Sequence, residues 1–171
     1  SRMGRDLSMV EKVIQRLSSF LSKARELGIF RVFIKTVHFP YTTSSVWKDR
    51  YSKASGVAKN GTWGCEIIEE LKPMEDEPVV IKHRYSAFIG TNLDLILRSN
   101  GIKNVLITGV HTHVCVLTTA SHAFMLDYNT ITVEDCVASY DSLKHKVALD
   151  IIKGYFGKVM SSREVLQLID A

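Results

Sequence analysis

The chain has 171 residues and a mass of 19.3 kDa, which fits one domain at roughly 100–200 residues per domain. Hydrophobic residues make up 46% and charged residues 23%, values that exclude the disordered, collagen-like and disulfide-rich classes. The net charge of +4 is spread along the chain and is too small to indicate a nucleic-acid partner. Three cysteines occur without a C-x-x-C motif, which argues against a zinc ribbon and favours a reducing compartment, so we expect a cytoplasmic protein.

The charge pattern predicts neither a signal peptide nor a membrane span. The first twenty residues mix charged and apolar side chains, without the apolar stretch of a signal peptide. Residues 104–126 contain no Asp, Glu, Lys or Arg, but they include Gly109 and three histidines, which a bilayer tolerates only at high cost. We therefore predict a buried strand and a buried helix there, and no membrane partner.

The first part of the chain predicts a helix and then a strand. Apolar residues recur at helical spacing over 8–27, with Ser8 and Glu11 as a capping box and Gly28 as the stop. Residues 29–37 are rich in Ile, Phe and Val and carry little charge, which predicts a strand.

A long segment without clear periodicity follows at 38–62, and loops of that length in compact domains are usually functional or mobile. Beyond it, strands and helices alternate, as in βαβ units with a parallel sheet. The fold class is therefore α/β: a single three-layer αβα domain over 1–171 with a mostly parallel sheet. Its remaining predicted elements are a short helix at 66–71, a strand at 78–82, a helix at 92–99, a strand at 104–109, a helix at 111–126, a strand at 130–134, a helix at 143–155, a strand from 159 and a last helix capped by Ser162.

Residues that follow the strands are the functional candidates, because ligands of open parallel sheets bind beyond the carboxyl ends of the strands. These candidates are His38, the segment Lys82 to Phe88, the segment Gly109 to Cys115, and the pair Asp135 and Cys136.

Cys115 is the most informative of these residues. Gly109 permits a tight strand-to-helix turn, and Thr112 as the N-cap places Cys115 in the first helical turn. The unpaired N–H groups there favour a thiolate and could also hold an oxyanion. The alternative is a small buried apolar residue, the usual fate of a free cysteine.

Lys82 ends an otherwise apolar strand and could place an ammonium beside Cys115, or extend to water instead. A pairing of Cys115 with His38 or His113 also stays open. His111 and His113 are too close in sequence to share a helix face, so no metal spacing is present. His145 lies between two lysines, which predicts a solvated helix face.

Several runs of residues, in this order along the chain, resemble the isochorismatase-like cysteine hydrolases. The resemblance covers about residues 8–165. The runs are Gly-Thr-Trp-Gly-Cys-Glu at 61–66, Val-Ile-Lys-His-Arg-Tyr-Ser-Ala-Phe-Ile-Gly-Thr at 80–91, Gly-Ile at 101–102, Ile-Thr-Gly-Val-His-Thr-His-Val-Cys-Val at 107–116, and Val-Glu-Asp-Cys-Val-Ala at 133–138.

The resemblance implies a Cys–Lys–Asp triad that cleaves the C–N bond of amides, ureas or carbamoyl compounds, without a cofactor. Cys115 matches the nucleophile and Lys82 the triad lysine. A cis peptide bond between Val110 and His111 is also implied, with the backbone N–H groups of His111 and Cys115 holding the oxyanion. Family members usually self-associate, so we expect a homo-oligomer with a small-molecule substrate.

The sequence departs from the family pattern in two respects. The family's aspartate ends a first, central strand ahead of the first helix. No such strand precedes Ser8, and Asp6 is a poor substitute. We therefore expect that the natural protein extends further upstream, or that this segment is omitted here; without that strand the sheet would be split. The nicotinamidase branch has Asp-x-His where this chain has Thr36-Val37-His38, so we predict no metal and no nicotinamidase.

Trp63, Tyr85, Phe88 and Thr112 are the candidates for shaping a substrate pocket, although for the aromatic residues core packing is an equal alternative. Arg84 could pair with a substrate carboxylate or lie in solvent. Three other functions stay open: a catalytically silent binding module that lacks the aspartate, an isochorismatase-type hydrolase, against which Cys115 argues, and a redox-sensing thiol at Cys115.

Overall fold

The computed structural model describes residues 7–51 and 58–170, in which helices and parallel strands alternate. Asp6 lies outside the described residues. The elements are α1 (Ser8–Glu26), β1 (Phe33–Thr36), α2 (Ser45–Tyr51), β2 (Val79–Lys82), α3 (Leu93–Ser99), β3 (Asn104–Val110), α4 (Leu117–Met125), β4 (Asn129–Ala138), α5 (Ser142–Tyr155), β5 (Lys158–Met160) and α6 (Ser162–Ile169). Short 3-10 turns lie at Trp63–Cys65 and Glu69–Leu71, and a π-helical turn lies at Thr112–Val116.

The ends of the helices follow the predictions in part. Helix α1 ends as expected, since Gly28 just beyond it adopts a φ of +65°. Its N-cap is Leu7, which makes no side-chain cap, so the predicted capping box of Ser8 and Glu11 is wrong. Helix α6 does begin with a capping box, but the capping residue is Ser161 rather than Ser162, with Glu164 as its partner.

Two strands and the long loop differ from their predicted bounds. Strand β1 is shorter than 29–37, because pairing with β2 begins only at Phe33, opposite Val79. The segment 38–62 contains helix α2, and its residues 52–57 lie outside the described ranges. Strand β4 continues to Ala138 past an irregularity in its pairing with β3, so the pair 135–136 lies inside the strand rather than after it.

All strand pairs in the described ranges are parallel, as predicted. They form two sheets rather than one: β1 pairs with β2, and β3, β4 and β5 pair in that order. Among the described strands, no hydrogen-bonded pair joins the two sheets. The three-layer αβα arrangement stays a prediction.

Buried apolar clusters join the helices to the strands. Phe20 of α1 and Val165 of α6 pack on Val133 and Cys136 of β4. Other clusters join α4 and α5 to β3 and β4, and α3 and α4 to β2 and β3. Among the helices within 7–51 and 58–170, none combines the length and apolar character needed to cross a bilayer.

Asp135 and Cys136, two of the candidates predicted from their position after a strand, have structural contacts instead. Asp135 accepts hydrogen bonds from the backbone N–H and the hydroxyl of Ser162, each at 2.7 Å, and thereby joins β4 to α6. Cys136 is fully buried, and burial raises its pKa to about 12, so its thiol stays protonated and unreactive at neutral pH.

A buried carboxylate that the sequence analysis missed joins α1 to the first sheet. Glu77 accepts hydrogen bonds from Arg25 Nε and Nη2 at 2.9 and 2.7 Å, from Arg31 Nε at 2.6 Å and from the Met74 N–H at 2.8 Å. Its side chain is only 1% exposed. The hydrogen bonds from Arg25 above all, and those from Met74 and Arg31, lower the pKa of Glu77 to about 2.

Replacing Glu77 by Gln should lower the free energy of unfolding at pH 7 by about 3–5 kcal/mol, because two half-buried guanidinium groups lose their carboxylate. In the wild type, the ionised Glu77 stabilises the fold fully above the ordinary pKa of 4.5, and this stabilisation is lost as the pH falls toward about 2. The Gln variant has no carboxylate there, so its free energy of unfolding should not show this loss in acid. Urea unfolding across this pH range measures both effects. The control is Glu69→Gln at an exposed ion pair, expected to cost less than about 1 kcal/mol; equal losses would contradict the assignment.

Candidate active site

A lysine from one sheet and a cysteine beside the other meet at the carboxyl ends of the strands. Lys82 is the last residue of β2, and Cys115 lies in the π-helical turn that follows β3. The Lys82 Nζ and Cys115 Sγ atoms are 3.4 Å apart, within hydrogen-bond distance for sulfur. Strand-end placement thus correctly predicted that these two groups come together.

The ammonium group of Lys82 is buried and has three hydrogen-bond partners. Besides Cys115 Sγ, it donates to the carbonyl oxygens of Arg84 at 2.8 Å and Tyr85 at 3.1 Å. The residue is 5% exposed, so the alternative that its side chain extends to water is wrong. Within the described ranges no carboxylate hydrogen-bonds or ion-pairs with Lys82, so its positive charge faces two carbonyl dipoles and the sulfur.

The cysteine turn, which we define as Thr112–Val116, is built directly onto the end of β3. The peptide bond between Val110 and His111 is cis, as the family resemblance implies. His111 is the N-cap of the turn, and its carbonyl accepts hydrogen bonds from the N–H groups of Val114 and Val116. Cys115 therefore lies in the first helical turn, as predicted, but the turn is π-helical. Its side chain is half-buried.

Thr112 does not act as predicted. It is not the N-cap of the turn, and it is completely buried, so its hydroxyl does not face a substrate pocket. Instead, Thr112 Oγ1 hydrogen-bonds to His145 Nδ1 of helix α5 at 2.8 Å. The predicted solvated face for His145 is therefore also wrong: the ring is half-buried, and burial lowers its pKa, so the imidazole is neutral at pH 7.

The histidines near the turn contact other residues. His113 Nδ1 lies 2.6 Å from the hydroxyl of Ser139, and the rings of His111 and His113 both contact Tyr140 edge-on. In the part of the chain that the structure describes, the hydrogen-bond partner of Cys115 Sγ is Lys82, and neither His38 nor His113 bonds to it.

An aromatic group lies next to the carbonyls that hold Lys82. Tyr85 contacts Trp47 of α2 edge-on, with 4.9 Å between ring centroids, and the guanidinium of Arg84 lies 4.9 Å above the same indole. Arg84 also donates to the carbonyl of Thr42, so it is neither fully solvated nor without partners. The sequence analysis missed Trp47, because it lies in the segment without periodicity.

His38 also lies near Trp47, with 6.1 Å between the ring centroids. Burial lowers the pKa of His38, and the nearby positive charges of Lys82, His83 and Arg84 lower it further. His38 is therefore neutral at pH 7.

Of the four residues predicted to shape a pocket, the structure places only Tyr85 beside Lys82. Trp63 is 84% exposed, so it does not line an enclosed site. Phe88 is 9% exposed and packs against Tyr128 and His122 in the core, the alternative considered for it. Among residues 7–51 and 58–170, no group of three or more His, Cys, Asp or Glu side chains is arranged to hold a metal ion.

The parallel α/β fold brings a cysteine and a lysine together at the strand ends, and comparisons with known proteins identify the family. The isochorismatase domain profile matches residues 2–164, so the chain belongs to the isochorismatase-like cysteine hydrolase family. It is 30% identical to the ureidoacrylate amidohydrolase RutB of Klebsiella pneumoniae over 182 residues, which cover 91% of this chain and 73% of that protein.

Solved structures agree with this assignment. An isochorismatase-like hydrolase from Alkaliphilus metalliredigens is 35% identical with a TM-score of 0.79, and the match covers 92% of this chain and 85% of that one. The N-carbamoylsarcosine amidase from Thermoplasma acidophilum is 30% identical with a TM-score of 0.78, covering 90% and 84%. Relatives of this chain therefore include amidohydrolases.

Replacing Lys82 by Met should slow the alkylation of Cys115 by iodoacetamide at pH 7 by about tenfold or more, because the cation beside the sulfur is lost. Mass spectrometry of the peptide containing Cys115 measures the rate, and the buried Cys65 and Cys136 serve as internal references. The control is Lys35→Met, which removes a lysine of strand β1 that pairs with Glu66. An unchanged rate in Lys82→Met would exclude electrostatic activation of the thiol.

Proposed function

We propose that this protein hydrolyses the C–N bond of a small amide, urea or carbamoyl compound through a thioester on Cys115. The observation that carries the proposal is the 3.4 Å contact between Cys115 Sγ and the buried ammonium of Lys82. The amidohydrolases among its relatives support the same reaction class.

The first step is the addition of the Cys115 thiolate to the substrate carbonyl carbon. The carbonyl oxygen becomes negative, and the N–H groups of His111 and Cys115 hold it, with Lys82 nearby as a fixed positive charge. The C–N bond then breaks, and the nitrogen takes a proton and leaves as ammonia or an amine. Water attacks the thioester in the second step, which gives the carboxylic or carbamic acid and restores the thiol.

The proton for the leaving nitrogen comes from an aspartate in this proposal, as the family resemblance implies. Neither Cys115 nor Lys82 hydrogen-bonds to a carboxylate in the described ranges. In the described ranges, strand β1 hydrogen-bonds to β2 and strand β3 to β4, and the two sheets are not hydrogen-bonded to each other. The resemblance implies that the aspartate ends a first, central strand ahead of α1.

The substrate is a small molecule, and the proposed chemistry uses no metal and no cofactor. The carbonyl of Tyr85 accepts from Lys82 and the Tyr85 ring contacts Trp47, and we propose that these two aromatic side chains contact the substrate. A homo-oligomer in the cytoplasm, without a nucleic-acid or membrane partner, completes the proposal.

The alternative is a homologue that binds small amides but does not cleave them. The observation that favours it is the absence of a carboxylate partner for Lys82 and Cys115 in residues 7–51 and 58–170. The two functions differ in a single measurement, the release of ammonia or amine from a bound amide.

The intact protein should release ammonia or amine from at least one member of a panel of ureido, N-carbamoyl and simple carboxamide compounds. Replacing Cys115 by Ser should lower kcat by more than about 10³-fold, since a hydroxyl beside a lysine is a far weaker nucleophile. Coupled ammonia detection and mass spectrometry of products measure turnover.

Cys65→Ser is the matched control, because the hydrogen-bond acceptors of its buried sulfur are the Thr62 carbonyl and Glu66 Oε1, and a hydroxyl can donate to the same acceptors. Turnover that persists in Cys115→Ser would exclude the proposed nucleophile. Binding of panel compounds without any product would select the non-catalytic alternative.

A further inference from the structure

The hydrogen bond between Thr112 and His145 lies at the first residue of the turn that carries Cys115. We propose that His145 is a positioning residue, which acts through the Thr112 hydroxyl to fix the cysteine turn and hold Cys115 Sγ against Lys82. This inference rests on the proposed function, but its test includes a readout that does not need a substrate.

The buried position of Thr112 makes this hydrogen bond the anchor for the start of the cysteine turn. Thr112 is the first residue of the turn, three residues before Cys115, and has no exposed surface. The turn has no side-chain N-cap. In the described part of the chain, the partner of the Thr112 hydroxyl is His145 Nδ1 at 2.8 Å. A buried hydroxyl without its partner is costly, so this hydrogen bond couples the position of the turn to that of α5.

The first turn of helix α5 is stabilised by contacts within the helix, and this keeps His145 in position to hold the Thr112 hydroxyl. Asp141 caps the helix by accepting from the Lys144 N–H at 3.0 Å and forms a salt bridge with the Lys144 ammonium at 2.7 Å. The N–H of His145 donates to the Asp141 carbonyl at 2.9 Å. The backbone of His145 is thus held where its ring meets Thr112.

A second contact of the turn, made by His113, also restricts its movement. His113 bonds to Ser139, which has no exposed surface, and Tyr140 contacts the His113 ring. Lys82 is held separately by the carbonyls of Arg84 and Tyr85. Loss of the Thr112 anchor therefore changes the distance between Sγ and Nζ without moving Lys82.

The kinetic consequence follows from the burial of Thr112. Its hydroxyl does not face the site, so its loss leaves substrate contacts unchanged while displacing the nucleophile. A displacement of about 1 Å at a reacting group lowers rates by up to about 10²-fold. We therefore expect an effect on kcat with little change in KM.

The experiment compares Thr112→Val, Thr112→Ser, His145→Asn and His145→Gln. Thr112→Val should lower kcat and the rate of Cys115 alkylation by about tenfold or more, with KM within about twofold. Thr112→Ser should stay within about threefold of wild type, because it keeps the hydroxyl. His145→Asn places an amide near the Nδ1 position and should also retain most activity, whereas His145→Gln places its amide near Nε2 and should behave like Thr112→Val.

Two threonines of β4 give matched controls. Thr130 is buried, and its hydroxyl donates to the Phe156 carbonyl at the far end of the strand, so Thr130→Val loses a comparable bond away from the turn. The hydroxyl of Thr132 is buried without a hydrogen-bond partner in the described part of the chain. Thr130→Val should reduce stability in urea without lowering kcat or the alkylation rate, and Thr132→Val should change none of the three.

The proposal is overturned if Thr112→Val keeps the wild-type kcat and alkylation rate, or if Thr130→Val lowers them equally. It is also overturned if the effects of Thr112→Val and His145→Gln multiply in the double variant.

If the wild type cleaves no panel compound, the proposed function fails, but the alkylation rates still test the positioning role of His145. Slower alkylation in Thr112→Val and not in Thr132→Val then supports the positioning role.

Discussion

The burial of one ammonium group is the constraint on which the site depends. Lys82 has three donors and three partners: two carbonyls of the segment that follows β2, and the sulfur of Cys115. A buried cation is costly unless its donors have partners, and the partners that the described ranges supply stay in reach only while the segment 83–85 and the cysteine turn keep their places. Because β2 and β3 belong to different sheets, this group also links the two halves of the molecule.

The sequence predicts the parts of this arrangement that local rules control. Alternating strands and helices gave the α/β class, and the position of Lys82 and Cys115 after strands placed them at one edge. The motifs supplied the family and the cis peptide. The predicted ends of the strands were less accurate where tertiary contacts determine them. Strand β1 begins only where it pairs with β2, and strand β4 continues through an irregular pairing that no local sequence pattern indicates.

Contacts between residues far apart in the sequence were not predictable in this way. The acidic sequence around Glu77 suggests an exposed carboxylate, and only the fold brings Arg25 and Arg31 into contact with it. The lysines beside His145 suggest a solvated face, yet the helix turns its imidazole toward Thr112. Phe88 and Trp63 show the same limit, since the sequence does not reveal which aromatic side chain faces the core and which faces solvent.

The different environments of the two tryptophans have a spectroscopic consequence. Trp63 is almost fully exposed, so its fluorescence should be quenched by dissolved iodide and should emit at long wavelength. Trp47 is half-buried and touches Tyr85 and Arg84, whose carbonyls bind Lys82. Iodide should therefore suppress one signal and leave the other, so the residual emission of Trp47 becomes an intrinsic optical reporter of events at the buried ammonium.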